Sequence, residues 1–199
     1  MSIPQYRASS LLMPGLWVYP DNLENQYLYD YELGGIGLYD TSAGLRYQAW
    51  VLQLLGDDVV ISADNWPQTV LFTRTGITEL SLAFDQNMHP FVAFVENDVA
   101  KFWWYDTELP GTTFSNLPAG STTPRCALDD KRETQTNSSD IILAYMKDNN
   151  VYTREQRDRF AVERLFQANV EGRIIRLGLS TVNRLQFLIQ GPLPEGYIG

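Results

Sequence analysis

The chain has 199 residues, of which 44% are hydrophobic and 13% aromatic, with 24 acidic against 15 basic side chains and a formal net charge of −9. This length holds one sizeable core, and this apolar content excludes a disordered chain. The negative balance argues against a sequence-independent grip on nucleic acid or an anionic membrane surface, both of which need cationic side chains.

A lone cysteine, Cys126, excludes an intrachain disulfide and fits a reducing compartment. Met1 to Pro14 is too short and polar for a secretory apolar region. No stretch approaches the roughly 20 apolar residues that cross a bilayer, so no membrane insertion is expected. Aromatic side chains favour pleated, half-buried strands, and 14 glycines with 10 prolines supply turns. The expected class is all-β.

In chain order, Leu16–Tyr19 and Gln26–Tyr31 read as two short strands within residues 15–32. Gly34-Gly35-Ile36-Gly37 lacks the Lys-Ser/Thr ending of a phosphate loop and reads as a bend. Residues 37–78 then carry four strands, at Gly37–Asp40, Tyr47–Leu55, Val59–Ser62 and Thr69–Thr73, with Asn65-Trp66-Pro67 in the third turn. Residues 79–122 repeat the order with Leu80–Asp85, Phe91–Glu96, Val99–Tyr105 and Thr112–Leu117. Asn97-Asp98 joins two of these strands as a hairpin, because short polar residues tolerate positive φ. Residues 123–170 repeat it again with Arg125–Asp129, Asp140–Met146, Val151–Gln156 and Ala161–Phe166, and a polar loop swells the first turn over 130–139. Arg154 to Phe160 is rich in helix formers, but the repeat places a strand and a turn there. Ile174–Ser180 and Arg184–Gln190 form a last hairpin within 173–191.

The repeat is marked by Asp40, Asp85 and Asp129, each ending an apolar run. Their period of about 45 residues is that of one four-stranded propeller blade. The expected fold is thus a single all-β domain over residues 1–199. It is antiparallel and propeller-like, with four small blades of which the last is a composite of the two terminal halves. A sandwich with chance periodicity is the competing architecture.

No catalytic set stands out. His89 is the only histidine, so a common zinc site or a Ser-His-Asp triad lacks its parts. Asp57-Asp58 and Asp129-Asp130 do not sit in a calcium loop and read as solvated turns. The recurring aspartates read as caps that accept backbone N–H groups after a strand. No metal, cofactor or catalytic residue is expected, and the chain is read as a non-enzyme.

Trp103-Trp104-Tyr105 is the most distinctive local feature. Neighbours on a strand face opposite ways, so one indole must meet another sheet, a partner or a ligand. Packing between neighbouring blades or subunits is preferred over stacking on a sugar. Arg154, Arg157, Arg159 and Arg164 interleave with Glu155, Asp158 and Glu163 and read as an ion-paired face, with docking of an acidic partner as the sharper alternative. Trp66, Trp103, Trp104, Tyr105, Arg154, Arg157 and Arg159 are the candidate interface or ligand-stacking residues.

Asp140 to Phe160, continuing through Val162, Glu163 and Arg164, resembles a segment of small structural tail or neck proteins in tailed-bacteriophage virions. Leu80 to Asn87, followed by Pro90 to Phe94, resembles the same group, and the resemblance covers about residues 78–190. It is a signature of turns and strands and brings no active site. It implies a virion component, made in the host cytoplasm and assembled in symmetric copies. Other tail or neck proteins and further copies of the chain would be its partners. The alternative is a carbohydrate-binding β module for host attachment, with a host glycan as partner and Trp66, Trp103 and Trp104 as stacking residues.

Overall fold

The computed structural model describes residues 31–41, 44–63, 66–85, 89–106, 108, 111–129, 140–179, 185–191 and 196–198. The strands expected at 16–19 and 26–30 lie outside them.

The described chain is all-β and forms four antiparallel sheets. The first holds β1 (Tyr31–Thr41), β2 (Gly44–Leu55), β3 (Asp58–Ala63) and β4 (Trp66–Thr73). The second holds β5 (Ile77–Phe84), β6 (Pro90–Glu96), β7 (Val99–Tyr105) and β8 (Thr112–Asn116). The third holds β9 (Thr122–Asp129), β10 (Asp140–Lys147), β11 (Asn150–Glu155) and β12 (Arg164–Gln167). The fourth holds β13 (Arg173–Leu179), β14 (Leu185–Gln190) and β15 (Gly196–Ile198). Each sheet is a meander in chain order, so the competing two-sheet sandwich is not what forms.

Three local details depart from the expectation. Gly34 and Gly35 lie inside β1, where the ladder shifts register between Leu33 and Gly35, so the bend is a bulge within a strand. Trp66 and Pro67 open β4, with Trp66 opposite Ala63, instead of filling the turn. The helix-forming segment keeps one turn of 3-10 helix at Gln156–Asp158, and the fourth strand follows only at Arg164. Asn97 and Asp98 adopt positive φ (49° and 63°), as do Asp148 and Asn149 (52° and 56°), which closes both hairpins as two-residue turns.

The first strands of successive sheets lie side by side: β1 against β5, β5 against β9, and β9 against β13. Three apolar seams fill the spaces between sheets. Leu52, Val59, Ile61 and Phe72 meet Leu80, Leu82, Val92, Phe94 and Trp103 in the first seam. Ala83, Phe91, Phe102 and Trp104 meet Cys126, Ile141, Leu143, Tyr145 and Phe160 in the second. Ile142, Ala144, Met146 and Val151 meet Ile174, Phe187 and Ile189 in the third. Alternate residues of β6 and of β10 thus enter different seams, because strand side chains alternate in direction. A strand buried on both faces reads as a continuous apolar run, as Phe91–Val95 and Ile141–Met146 do.

Polar side chains stitch the inner strands together where no ladder joins the sheets. Ser81 Oγ on β5 accepts the Cys126 N–H of β9 at 3.1 Å, and Thr123 Oγ1 on β9 accepts the Ile174 N–H of β13 at 3.2 Å. Arg125, only 3% exposed, donates from Nε to the Ile175 carbonyl at 2.8 Å and from a terminal nitrogen to Glu79 at 2.7 Å. One guanidinium therefore ties β5, β9 and β13.

Removing Arg125 would take its donor from the Ile175 carbonyl and leave Glu79 with Arg173 alone, 3.5 Å away, at a cost of about 1–3 kcal/mol. Arg125→Ala is expected to lower the unfolding free energy measured in urea by that amount, and a loss under about 0.5 kcal/mol would show that the guanidinium is dispensable. Gly172 has φ 127°, and a Cβ there would lie 2.2 Å from the Gln190 carbonyl oxygen, whereas Gly56 (φ 64°) has nothing within 4 Å. Gly172→Ala should therefore destabilise clearly more than Gly56→Ala, whose cost is only the left-handed backbone, about 1 kcal/mol. Equal thermal shifts for the two variants would contradict this.

Candidate interaction surface

Trp103 and Trp104 are both buried, on opposite faces of β7. Trp103 sits in the first seam, 5.4 Å from the Phe72 ring, and Trp104 in the second, edge-on to Phe160 at 5.1 Å. The pair joins three sheets, and both indoles are committed to the interior instead of to a sugar or a partner. Tyr105 points outward and stacks on His89 at 4.4 Å. Trp66 is placed at the start of β4.

His89 belongs to the turn after β5. Asp85, buried at the strand end, accepts the His89 backbone N–H at 2.8 Å, and its other oxygen lies 3.0 Å from His89 Nδ1. This is the capping geometry that the recurring aspartates suggest, and it gives Asp85 a structural task. The side chains of Asp40 and Asp129 lie outside what is described.

The arginine group divides by role. Arg154 is largely buried: it donates to the Tyr145 hydroxyl at 3.1 Å and to the Phe160 carbonyl at 2.8 Å, with Glu163 at 3.8 Å. Arg157 pairs with Glu155, and Arg164 with Asp158 at 2.7 Å. Arg159 reaches across to Asp106 and Glu108 after β7, so it links the third sheet to the second. Among the described residues, each arginine of the group is ion-paired. The face therefore offers no surplus of positive charge to an acidic partner.

Behind it lies a network that composition alone does not reveal. Glu163 accepts from the Tyr145 hydroxyl and from Lys147 Nζ at 2.6 Å. Lys147 also lies over the Tyr152 ring at 4.5 Å. Burial, reinforced by the adjacent Glu163 carboxylate, holds the Tyr145 phenol above its usual range, so it remains a donor. For Glu163, burial opposes ionisation, but hydrogen bonds from Lys147 and Tyr145 outweigh it and hold the carboxyl below its usual range.

Four of the eight exposed large apolar side chains among the described residues lie on the outer strands, Val70, Phe114, Leu165 and Phe166; Leu55, Val99, Tyr105 and Val162 lie elsewhere. All four residues of β12 are exposed, with Leu165 at 58% and the Phe166 ring 4.3 Å from that of Phe187. Val70 on β4 is 52% exposed and Phe114 on β8 38%. Phe114 packs edge-on against Phe72 at 5.2 Å and beneath the Arg74 guanidinium at 4.4 Å. β8 contains no charged residue and no proline, and the one charge on β12, Arg164, is already paired. β8 and β12 therefore lack the lysines and prolines that commonly protect a sheet edge, whereas β4 carries Pro67. The signal was legible as alternation in Thr112–Asn116, but not as exposure.

Among the described residues, no three His, Cys, Asp or Glu side chains cluster as metal ligands, and no helix is long and apolar enough to cross a membrane. Comparison with family models and with curated proteins finds no match.

The Glu163 carboxyl titrates below its unfolded value of about 4.3, so its contribution to stability is complete above that pH and lost as the pH falls through the lower folded value. Glu163→Gln should therefore be less stable than the parent at pH 7. The gap should close as the pH falls below about 4. Denaturant titrations at several pH values check this, and a gap constant from pH 7 to pH 3 would contradict it.

Proposed function

We propose that this chain is a non-enzymatic structural component of a tailed-phage virion, in the tail or tail-fibre region, and that it assembles through symmetric protein–protein contacts. The observation that carries this reading is the exposed outer strand of each four-stranded sheet, with Val70, Phe114 and Leu165 turned to solvent. Exposed apolar side chains on outer strands are a recurrent feature of surfaces buried in an assembly. The resemblance of residues 80–94 and 140–164 to small tail and neck proteins points the same way.

The meander order of the four sheets, with their first strands side by side, supports a propeller-like arrangement, in which outer strands face neighbouring molecules. Contacts that repeat head to tail close into rings under cyclic symmetry, so further copies of the chain and larger tail proteins are the partners. The carbohydrate-binding alternative has lost two of its three stacking tryptophans to the interior, which is why assembly is preferred.

Native mass spectrometry of the purified chain should show a discrete multimer, and Leu165→Lys should lower its population at least ten-fold while leaving the circular dichroism spectrum unchanged. Peptides of the chain should also appear in purified virions. A monomer at every concentration, together with absence from virions, would overturn the reading.

A further inference from the structure

Residues 157–163 join two strands of the third sheet, yet no ladder hydrogen bond among the described residues ties them to any sheet. Their backbone bonds are local: the N–H groups of Arg159, Phe160 and Ala161 donate to the carbonyls of Gln156, Glu155 and Asp158 at 2.7, 2.9 and 3.0 Å. Arg159 and Phe160 are both left-handed, with φ of 55° and 59°. Asparagine and aspartate take that conformation readily in the hairpin turns, but arginine and phenylalanine take it against their steric preference.

Side chains hold the segment in this shape. Phe160 is 1% exposed, with its ring 5.0, 5.1 and 5.1 Å from those of Phe91, Phe102 and Trp104 in the second seam. Arg159 clamps Asp106 and Glu108 of the second sheet's β7–β8 connection, and Glu163 closes the far end on Tyr145 and Lys147. Arg154 of β11 holds the Phe160 carbonyl as well, at 2.8 Å, and a backbone kept in a disfavoured conformation by one plug and three clamps has a relaxed alternative once these let go.

We infer that residues 157–163 are a strap that lifts as one unit while the sheets stay folded, withdrawing Phe160 and uncovering an aromatic seat formed by Phe91, Phe102 and Trp104. The strap is a conformational device of the fold and does not depend on the assembly reading.

Native-state hydrogen exchange of the full chain in low urea tests it. The amides of Arg159, Phe160 and Ala161 should share one urea slope, smaller than that of β10 amides such as Leu143, and exchange at least ten-fold faster than those amides. Arg159→Gln, which loosens the clamp, should speed these three about ten-fold further and leave the β10 amides unchanged. Three amides that exchange with the rate and slope of Leu143, or with three unrelated slopes, would overturn the proposal. So would an Arg159→Gln variant that speeds β10 equally.

Discussion

The central strands β6 and β10 of the second and third sheets bury both of their faces, and the rest of the molecule depends on that. A sheet with one apolar face can turn the other to water, but β6 and β10 send apolar side chains in both directions. Neither sheet is stable without a neighbour on each side. Tyr145, Phe91, Phe94 and Leu143 are fully buried, and each contributes about 1.5–3 kcal/mol when removed from water. The seams are therefore where folding free energy accumulates, and the two tryptophans of β7 show it in one dipeptide.

Packing alone would let neighbouring sheets slide. Hydrogen bonds from side chain to backbone at the inner strands remove that freedom: Ser81 with Cys126, Thr123 with Ile174, and Arg125 with Ile175. Each satisfies a polar group that burial would otherwise leave costly. Arg125 joins charge to this arrangement, because its guanidinium sits against Glu79 in a nearly dry site. The inner side of the molecule is thus dry and stitched, whereas the outer strands are thin, exposed and apolar in places.

The charged belt around β11 and β12 is the ion-paired face that its mixed composition suggests. Four arginines in eleven residues look like a docking patch, yet each is balanced, and Arg154 is turned inward onto a phenol and a carbonyl. Arg159 leaves its own sheet to pair with Asp106, so it braces two sheets. The belt is a set of structural ties.

The sequence by itself determined the all-β class, the order of strands within three repeats, the hairpin turn at Asn97-Asp98, and the last hairpin. These rest on period-two alternation, on continuous apolar runs and on residues that tolerate positive φ, all of which are local and survive without knowledge of neighbours. It also implied that Trp103 and Trp104 must part company, because alternation is a property of the strand. Only the tertiary structure decided where each went, since that depends on which sheet lies opposite. The Tyr145–Glu163–Lys147 network, the cross-sheet reach of Arg159 and the burial of Phe160 were likewise out of sight. Each joins groups brought together by side-chain packing across a turn or a seam, and the energy that selects such contacts comes from burial against a partner the linear sequence does not name.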